Sequence, residues 1–197
     1  MNMLSELGSI TLDTHSLGGF TDEEFYRFCL DNRDLKFERD AQQNIIVMSN
    51  TGGKTRKRNA EILAELIFWN RKNKTGVCFD SSTAFKLPNG AVRSPDAAWI
   101  KSDRWNALTD QEKEQFPPLC PDFVIEIKSP TDQLAVQKNK MEEWMANGCQ
   151  LAWLINPDEV MTYVYHAGKT EVYPFNKILS GYEVLEGFEV LLSTIFV

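Results

Sequence analysis

Two acidic side chains and a lysine lie on apolar, strand-like segments of this 197-residue chain, where charge is unusual. Asp96 follows Pro95 and begins an apolar stretch, and Glu126 lies inside the apolar run 123–128. Lys128 follows Glu126 by two residues, so a strand would place both side chains on the same face. Burying either charge alone would cost several kcal/mol. We therefore interpret these charges as a functional site.

The residue types favour a metal site. Carboxylate oxygens are the ligands that Mg²⁺ prefers. If the strands that carry Asp96 and Glu126 are neighbours, the two carboxylates converge, and the main-chain carbonyl of Ile127 could add another oxygen ligand. Lys128 would then orient or deprotonate an attacking water, or stabilise the developing negative charge. These roles suit hydrolysis of a phosphodiester. The alternative is an ion pair between Glu126 and Lys128 with no ligand.

Spacing argues against several other kinds of site. The four cysteines lie far apart, which indicates free thiols rather than a zinc cluster or a disulfide framework. The two histidines have no partner at metal-ligand spacing, so Ser-His or Cys-His catalysis is poorly supported. The segment 52–55 lacks the earlier glycine of a phosphate-binding loop. Asp122 also follows a proline, but about 13 Å of strand would separate it from Glu126.

Length and charge limit the class of protein. A chain of 197 residues suits a single domain, 1–197. The formal charge of −7 argues against a broad basic surface for nucleic acid. Basic residues within 54–58, after the turn signal Thr51-Gly52-Gly53, form either a phosphate-contacting patch or a solvated helix start. No run approaches the roughly 20 apolar residues that cross a membrane, and residues 1–9 lack a basic secretory signal, so we expect a cytoplasmic protein.

The segments that must position the charged residues alternate between strand and helix patterns. The capping box Thr21-Asp22-Glu23-Glu24 predicts a helix that ends near Asn32. The patterns further predict strands at 35–38 and 44–48, a helix at 58–72, strands at 77–87 and 91–100 around a turn at 88–90, a short helix after Thr109, a strand at 123–128, a helix at 132–147, and strands at 150–155 and 160–165. The last strand–helix–strand series is a parallel βαβ unit. We predict an α/β (α+β mixed) fold, a mixed β-sheet flanked by helices.

A series of short motifs occurs in order between about residues 20 and 195. They are Asn50-Thr51-Gly52-Gly53, Arg58-Asn59-Ala60-Glu61-Ile62, Phe85-Lys86-Leu87-Pro88-Asn89-Gly90, Ser94-Pro95-Asp96, the segment 120–132, Lys140-Met141, Asn147-Gly148 and the segment 153–157. The series resembles the Uma2 family, a branch of the PD-(D/E)xK nuclease superfamily. The resemblance implies a restriction-endonuclease-like core and DNA cleavage that depends on Mg²⁺ or Mn²⁺. It implies that Asp96 and Glu126 are the two acids and Lys128 the lysine, and a homodimer is expected by analogy.

The resemblance also implies a further glutamate from an early helix. Glu61 and Glu65 lie four residues apart on one helix face, and we prefer Glu61 slightly, although solvated helix charges explain both. Glu38, at the end of an early strand, is a weaker candidate. Gln137 and Lys140 are expected near the same end of the sheet. The alternative function is a catalytically inactive protein of the same fold that binds nucleic acid or protein, which the acidic charge favours.

Overall fold

The computed structural model of the protein describes residues 8–49 and 52–196. Asn50 and Thr51, which belong to one of the motifs, and residues 1–7 of the N-terminal segment lie outside the described residues. The elements, in chain order, are β1 (Ser9–Leu12), α1 (Asp22–Asp31), β2 (Lys36–Arg39), β3 (Ile45–Met48), α2 (Gly53–Asn73), β4 (Gly76–Asp80), β5 (Phe85–Lys86), β6 (Val92–Arg93), β7 (Ala97–Lys101), α3 (Ser102–Asn106), α4 (Asp110–Glu114), β8 (Phe123–Ile127), α5 (Leu134–Ala146), β9 (Leu151–Asn156), β10 (Met161–His166), β11 (Lys169–Pro174), β12 (Ile178–Ser180) and β13 (Glu189–Leu191). None of the helices in these described ranges is long and apolar enough to span a membrane.

A large mixed sheet forms the centre of the fold. Within the described residues it has six strands in the order β11-β10-β9-β8-β7-β4. Strands β8 and β9 are parallel and joined by α5, as the predicted βαβ unit requires, while the other neighbours are antiparallel. Ile62 and Leu66 of α2 pack on one face of the sheet, and Met141 and Trp144 of α5 pack on the other. The structure confirms the predicted α/β fold, a mixed β-sheet flanked by helices.

A second sheet lies beside the first and carries the early strands. Its five described strands have the order β1-β3-β2-β6-β5, and β2 and β3 form the predicted antiparallel pair. Helix α1 begins after Thr21, whose side chain and Glu24 form the predicted capping box. Phe25 of α1 packs with Phe37 and Val47 of the sheet in a small apolar core. This second sheet therefore has its own hydrophobic support.

Two predicted strands are each divided between the two sheets. The segment 77–87 forms β4 and β5, because the carboxylate of Asp80 accepts hydrogen bonds from the main-chain N–H and the hydroxyl of Ser82 and turns the chain. The segment 91–100 forms β6 and β7, which are separated at Pro95. Proline has no N–H to continue a ladder. The chain thus changes sheets immediately before the predicted site.

Helix α2 begins at Gly53, earlier than the predicted start at 58. Gly52 is its extended N-cap, and the basic residues of 54–58 occupy the first turns. Lysine and arginine are good helix formers, and Thr55 is buried in this extra turn. The earlier start places Asn59 well inside the helix, so its side chain is held in a defined position near the large sheet.

Candidate active site

Asp96 lies immediately before β7, and Glu126 lies on β8, the antiparallel neighbour of β7. Ala97 of β7 is paired with Ile125 of β8, and the Asp96 amide donates to the Ile125 carbonyl at 3.0 Å. One further step in this register puts Asp96 opposite Glu126, and side chains at opposite positions lie on the same face. Both residues line a cleft with a volume of about 630 Å³. The neighbouring strands required by the sequence argument are therefore present.

The Asp96 carboxylate is held by two donors. Its Oδ1 accepts a hydrogen bond from Asn59 Nδ2 at 2.6 Å, and its Oδ2 accepts one from the Ile127 amide at 2.7 Å. Burial raises the pKa of Asp96, although both hydrogen bonds act in the opposite direction. The two donors fix the position of the carboxylate relative to the end of β8.

The Glu126 carboxylate is almost completely buried, with 5% of the residue exposed. Its Oε1 accepts hydrogen bonds from Trp144 Nε1 at 3.0 Å and from Lys140 Nζ at 2.8 Å. Burial raises the pKa of Glu126 to about 7, and repulsion from Asp96 and Glu38 adds to this effect, while Lys140 opposes it. Ionisation of Glu126 therefore costs free energy in the folded protein, and a bound cation would reduce this cost.

Glu38 on β2 is the third carboxylate of this cluster, and 2% of the residue is exposed. Its Oε1 accepts hydrogen bonds from the Ser94 amide at 3.0 Å and from Lys140 Nζ at 2.8 Å, and its Oε2 accepts one from Arg93 at 3.2 Å. Burial alone would raise the pKa of Glu38, but Lys140 and Arg93 lower it to about 2. Glu38 is therefore an ionised carboxylate with three donors.

The structure distributes the other sequence candidates between the cleft and its surroundings. Ile127 and Gln137 line the cleft. The Lys128 ammonium instead donates to Asp158 Oδ2 at 2.8 Å and to the Ser129 carbonyl at 3.1 Å. Lys128 follows the last residue of β8, and its ammonium contacts the loop after β9 rather than Glu126.

The two helix glutamates lie on α2. Glu61 forms an i,i+4 ion pair with Lys57 at 3.3 Å, and Glu65 is exposed. Among the described residues, neither belongs to the lining of the cleft, which instead includes Asn59 from the same helix. The early acidic residue near Glu126 is instead Glu38, the weaker candidate in the sequence analysis, because Lys140 forms ion pairs with both glutamates. Its signal in the sequence was a glutamate at the end of the predicted strand 35–38.

Lys140 and Asn59 are the residues whose contacts sequence reasoning did not foresee. Lys140 lies on α5 and bonds to both glutamates, and Asn59 bonds to Asp96. Both residues occur inside the motifs of the sequence, but nothing in a motif specifies which carboxylate a helix residue reaches. That information depends on how α2 and α5 pack on the sheet.

Asp122 has a structural environment at the opposite end of β8. Its carboxylate accepts hydrogen bonds from Gln150 at 2.8 Å and from the Lys101 amide at 2.9 Å, and it pairs with Arg104 at 2.7 Å. These contacts tie α3 and the start of β9 to the central strand. The expectation that Asp122 stands apart from Glu126 agrees with this arrangement.

The donor set of the cleft fits a divalent cation bound by few protein ligands. Within the described residues, no group of three or more His, Cys, Asp or Glu side chains is arranged to hold a metal ion. Mg²⁺ usually keeps several waters and is bound by one or two carboxylates. Asp96 and Glu126 are two such carboxylates, and both line the same cleft. Their hard oxygen donors suit Mg²⁺ or Mn²⁺ rather than a soft metal.

Comparisons with known proteins agree with this fold. The chain is similar to the solved structure of a protein titled "putative nuclease belonging to DUF820 from Anabaena variabilis ATCC 29413", with 20% identity, a TM-score of 0.75, and coverage of 90% of this chain and 97% of that chain. At this identity the similarity shows a common fold. No curated protein matches the chain. The model of the Uma2 family, described as "Putative restriction endonuclease", matches residues 22–194. Because that match spans most of its length, the chain belongs to the Uma2 family.

Proposed function

We propose that the protein is a metal-dependent endodeoxyribonuclease of the PD-(D/E)xK type. The observation that carries the proposal is that the carboxylates of Asp96 and Glu126 line one cleft, in which Lys140 forms an ion pair with Glu126. Asp96 lies immediately before β7, and Glu126 lies on the neighbouring strand β8. Membership of the family described as "Putative restriction endonuclease" supports DNA as the substrate. Metal-assisted phosphodiester hydrolysis needs carboxylates that hold the metal ion, and a nearby lysine ammonium can stabilise the negative charge that develops.

Each residue of the cleft has a separate role in this proposal. Asp96 and Glu126 would hold Mg²⁺ or Mn²⁺, and the main-chain carbonyl of Ile127 is the further ligand expected from the sequence. The bound cation would supply charge neutralisation at the phosphate and activation of water. Asn59 and the Ile127 amide hold the Asp96 carboxylate in place.

Lys140 takes the role that the sequence assigned to Lys128. Burial alone would lower the pKa of Lys140, but Glu126 and Glu38 raise it above its ordinary value, so the side chain is an ammonium at neutral pH. A charged ammonium stabilises negative charge that develops on a phosphoryl oxygen and donates a hydrogen bond to it. Because an ammonium has no free electron pair to accept a proton, electrostatic stabilisation is the role proposed for Lys140.

Basic residues form part of the lining of the cleft, where they could contact a phosphate backbone. Arg33, Lys36, Arg56 and Lys140 line it together with the acidic residues Asp34, Asp80, Asp96, Glu126 and Asp132. A local cluster of basic residues attracts phosphate groups even on a protein of net negative charge.

We also propose that the protein is a homodimer, because one such site cuts one DNA strand, and cleavage of both strands of a duplex requires two sites. Light scattering after size-exclusion chromatography measures the oligomeric state.

The test is cleavage of supercoiled plasmid with Mg²⁺ or Mn²⁺. Asp96→Asn, Glu126→Gln and Lys140→Met should each abolish nicking and linearisation by the folded protein. Lys138→Met is the matched control, because Lys138 lies on the same helix but stacks over the Tyr163 ring. Cleavage by Asp96→Asn or Glu126→Gln at the wild-type rate would refute the proposed site.

The second candidate function is a nuclease-fold protein that binds nucleic acid without cutting it. The observation in its favour is that a lysine already neutralises Glu126, and no group of three metal-ligating side chains is formed among the described residues. This function predicts DNA binding, measured by fluorescence anisotropy, that does not depend on divalent metal and survives Glu126→Gln. It also predicts no plasmid cleavage under any metal condition.

A further inference from the structure

One ammonium group is shared by two buried carboxylates at the candidate site. Lys140 Nζ lies 2.8 Å from Glu38 Oε1 and 2.8 Å from Glu126 Oε1, and its side chain is only 12% exposed. The lysine reaches this place from α5, whereas the two glutamates come from different sheets. The ammonium therefore lies between the two carboxylates, where its positive charge reduces their mutual repulsion.

The two glutamates depend on Lys140 to different degrees. Glu38 also has the Arg93 guanidinium and the Ser94 amide as donors. Among the described residues, Glu126 accepts a hydrogen bond from one other side chain, the neutral indole Nε1 of Trp144. Glu38 is thus a carboxylate with two cationic neighbours, and Glu126 is a carboxylate whose charge is balanced by one shared ammonium.

We propose that Lys140 is an internal counter-ion, anchored on Glu38, that releases Glu126 when this carboxylate binds a divalent cation. The inference rests on the proposed function, because it concerns the same two carboxylates. Glu38 is then a positioning residue that keeps Lys140 beside the site, and it is not a metal ligand.

Lys140 and a bound cation would compete for the Glu126 carboxylate. A cation that binds Glu126 repels the neighbouring ammonium, so the Lys140–Glu126 contact and metal binding compete. The Lys140–Glu38 contact has no such competitor, because the Glu38 oxygens are already occupied by Arg93 and Ser94 as well. Competition of this kind lowers metal affinity. Removal of the ammonium should therefore strengthen metal binding, which is the opposite of the effect of removing a ligand.

The experiment measures Mn²⁺ binding to the metal-free protein from the electron paramagnetic resonance signal of free Mn²⁺, without DNA. It is carried out at a pH at which Glu126 is ionised in every variant, because loss of Lys140 raises the pKa of this carboxyl and lets protons compete with the metal. Lys140→Met should tighten binding by about tenfold, an effect expected for loss of one buried charge. Lys140→Gln, which keeps a hydrogen-bond donor without the charge, should tighten it in the same direction. Lys138→Met on the same helix is the matched control and should bind as the wild type does.

A second comparison tests the role of Glu38. In the Lys140→Met background, Glu38→Gln should change Mn²⁺ affinity less than about twofold, because Glu38 no longer has a lysine to hold. A further large loss of affinity would identify Glu38 as a ligand and would overturn that part of the inference. Circular dichroism of each variant confirms that the affinities compare folded proteins.

The remaining outcomes are equally decisive. Unchanged or weaker Mn²⁺ binding by both Lys140 variants would overturn the inference, and so would a lack of saturable binding in the wild type and in every variant. If Lys140→Met binds Mn²⁺ more tightly but the wild type cuts no plasmid, the counter-ion is supported and the proposed nuclease function fails. The two proposals can therefore fail separately.

Discussion

Glu126→Gln should make the metal-free protein more stable above pH 7 while leaving its stability little changed near pH 4.5. The carboxylate is buried, and Asp96 and Glu38 repel it, so its ionisation costs more free energy in the folded protein than in the unfolded chain. Glutamine resembles that neutral form in shape and retains an oxygen that accepts from Trp144 and Lys140. The substitution thus removes a buried charge without removing its hydrogen bonds.

The size and sign of the effect follow from the pKa of Glu126. Its pKa is about 7 in the folded protein and 4.5 as the ordinary value. Since the folded pKa is raised, the neutral carboxyl contributes stability that is fully present below pH 4.5 and is lost as the pH rises through 7. At about 1.4 kcal/mol per pH unit, the loss amounts to roughly 3 kcal/mol. The glutamine variant does not suffer this loss.

The assay is urea denaturation in the presence of a chelator at a series of pH values from 4.5 to 8. The measured quantity is the difference in free energy of unfolding between Glu126→Gln and the wild type, which should grow by roughly 3 kcal/mol over this range. Glu142→Gln, at an exposed position on α5, controls for the loss of one negative charge from the whole protein. A difference that stays constant with pH would refute the reasoning. A wild type that is the more stable protein at pH 8 would mean that the Lys140 ion pair outweighs burial.

Three other substitutions test separate parts of the structure. Asn59→Ala should reduce plasmid cleavage by about tenfold in a folded protein, because Asp96 loses one of its two donors, and the measurement is the initial rate at saturating Mn²⁺. Arg104→Met should lower the free energy of unfolding by about 2 kcal/mol in urea, because the buried Asp122 carboxylate loses its cation, and Asp122→Asn in the same chain should recover most of the loss. Lys128→Met should retain cleavage and lose less than about 1 kcal/mol of stability, because its ion-pair partner is exposed; loss of cleavage would return the catalytic role to this lysine.

The local parts of the fold could be predicted from the sequence. The capping box at Thr21 and the turn at 88–90 are specified by neighbouring residues, and both occur as expected. The apolar run 123–128 identified the central strand. The division of 77–87 and 91–100 between two sheets was not predicted, because apolar alternation does not reveal which sheet a strand joins.

The candidate site was accessible to sequence reasoning only in part. Asp96 and Glu126 were connected by the expectation that their strands are neighbours, which depends on one pairing. The contact between Lys140 and Glu38 joins residues 102 positions apart and depends on the packing of α5 and of the second sheet. Lys128 was favoured by strand alternation and by the family resemblance, and neither could show its contact with Asp158 in the loop after β9.

At the candidate site, two main-chain amides donate to acidic side chains rather than to a strand partner. The Ile127 amide donates to Asp96 Oδ2 at 2.7 Å, and the Ser94 amide donates to Glu38 Oε1 at 3.0 Å. The chemical shift of an amide proton is sensitive to the charge of its acceptor, so the two ¹H–¹⁵N resonances form separate spectroscopic indicators for the two acids. A spectroscopist could follow the ionisation of Asp96 and of Glu38 independently, at atomic resolution and without any substitution.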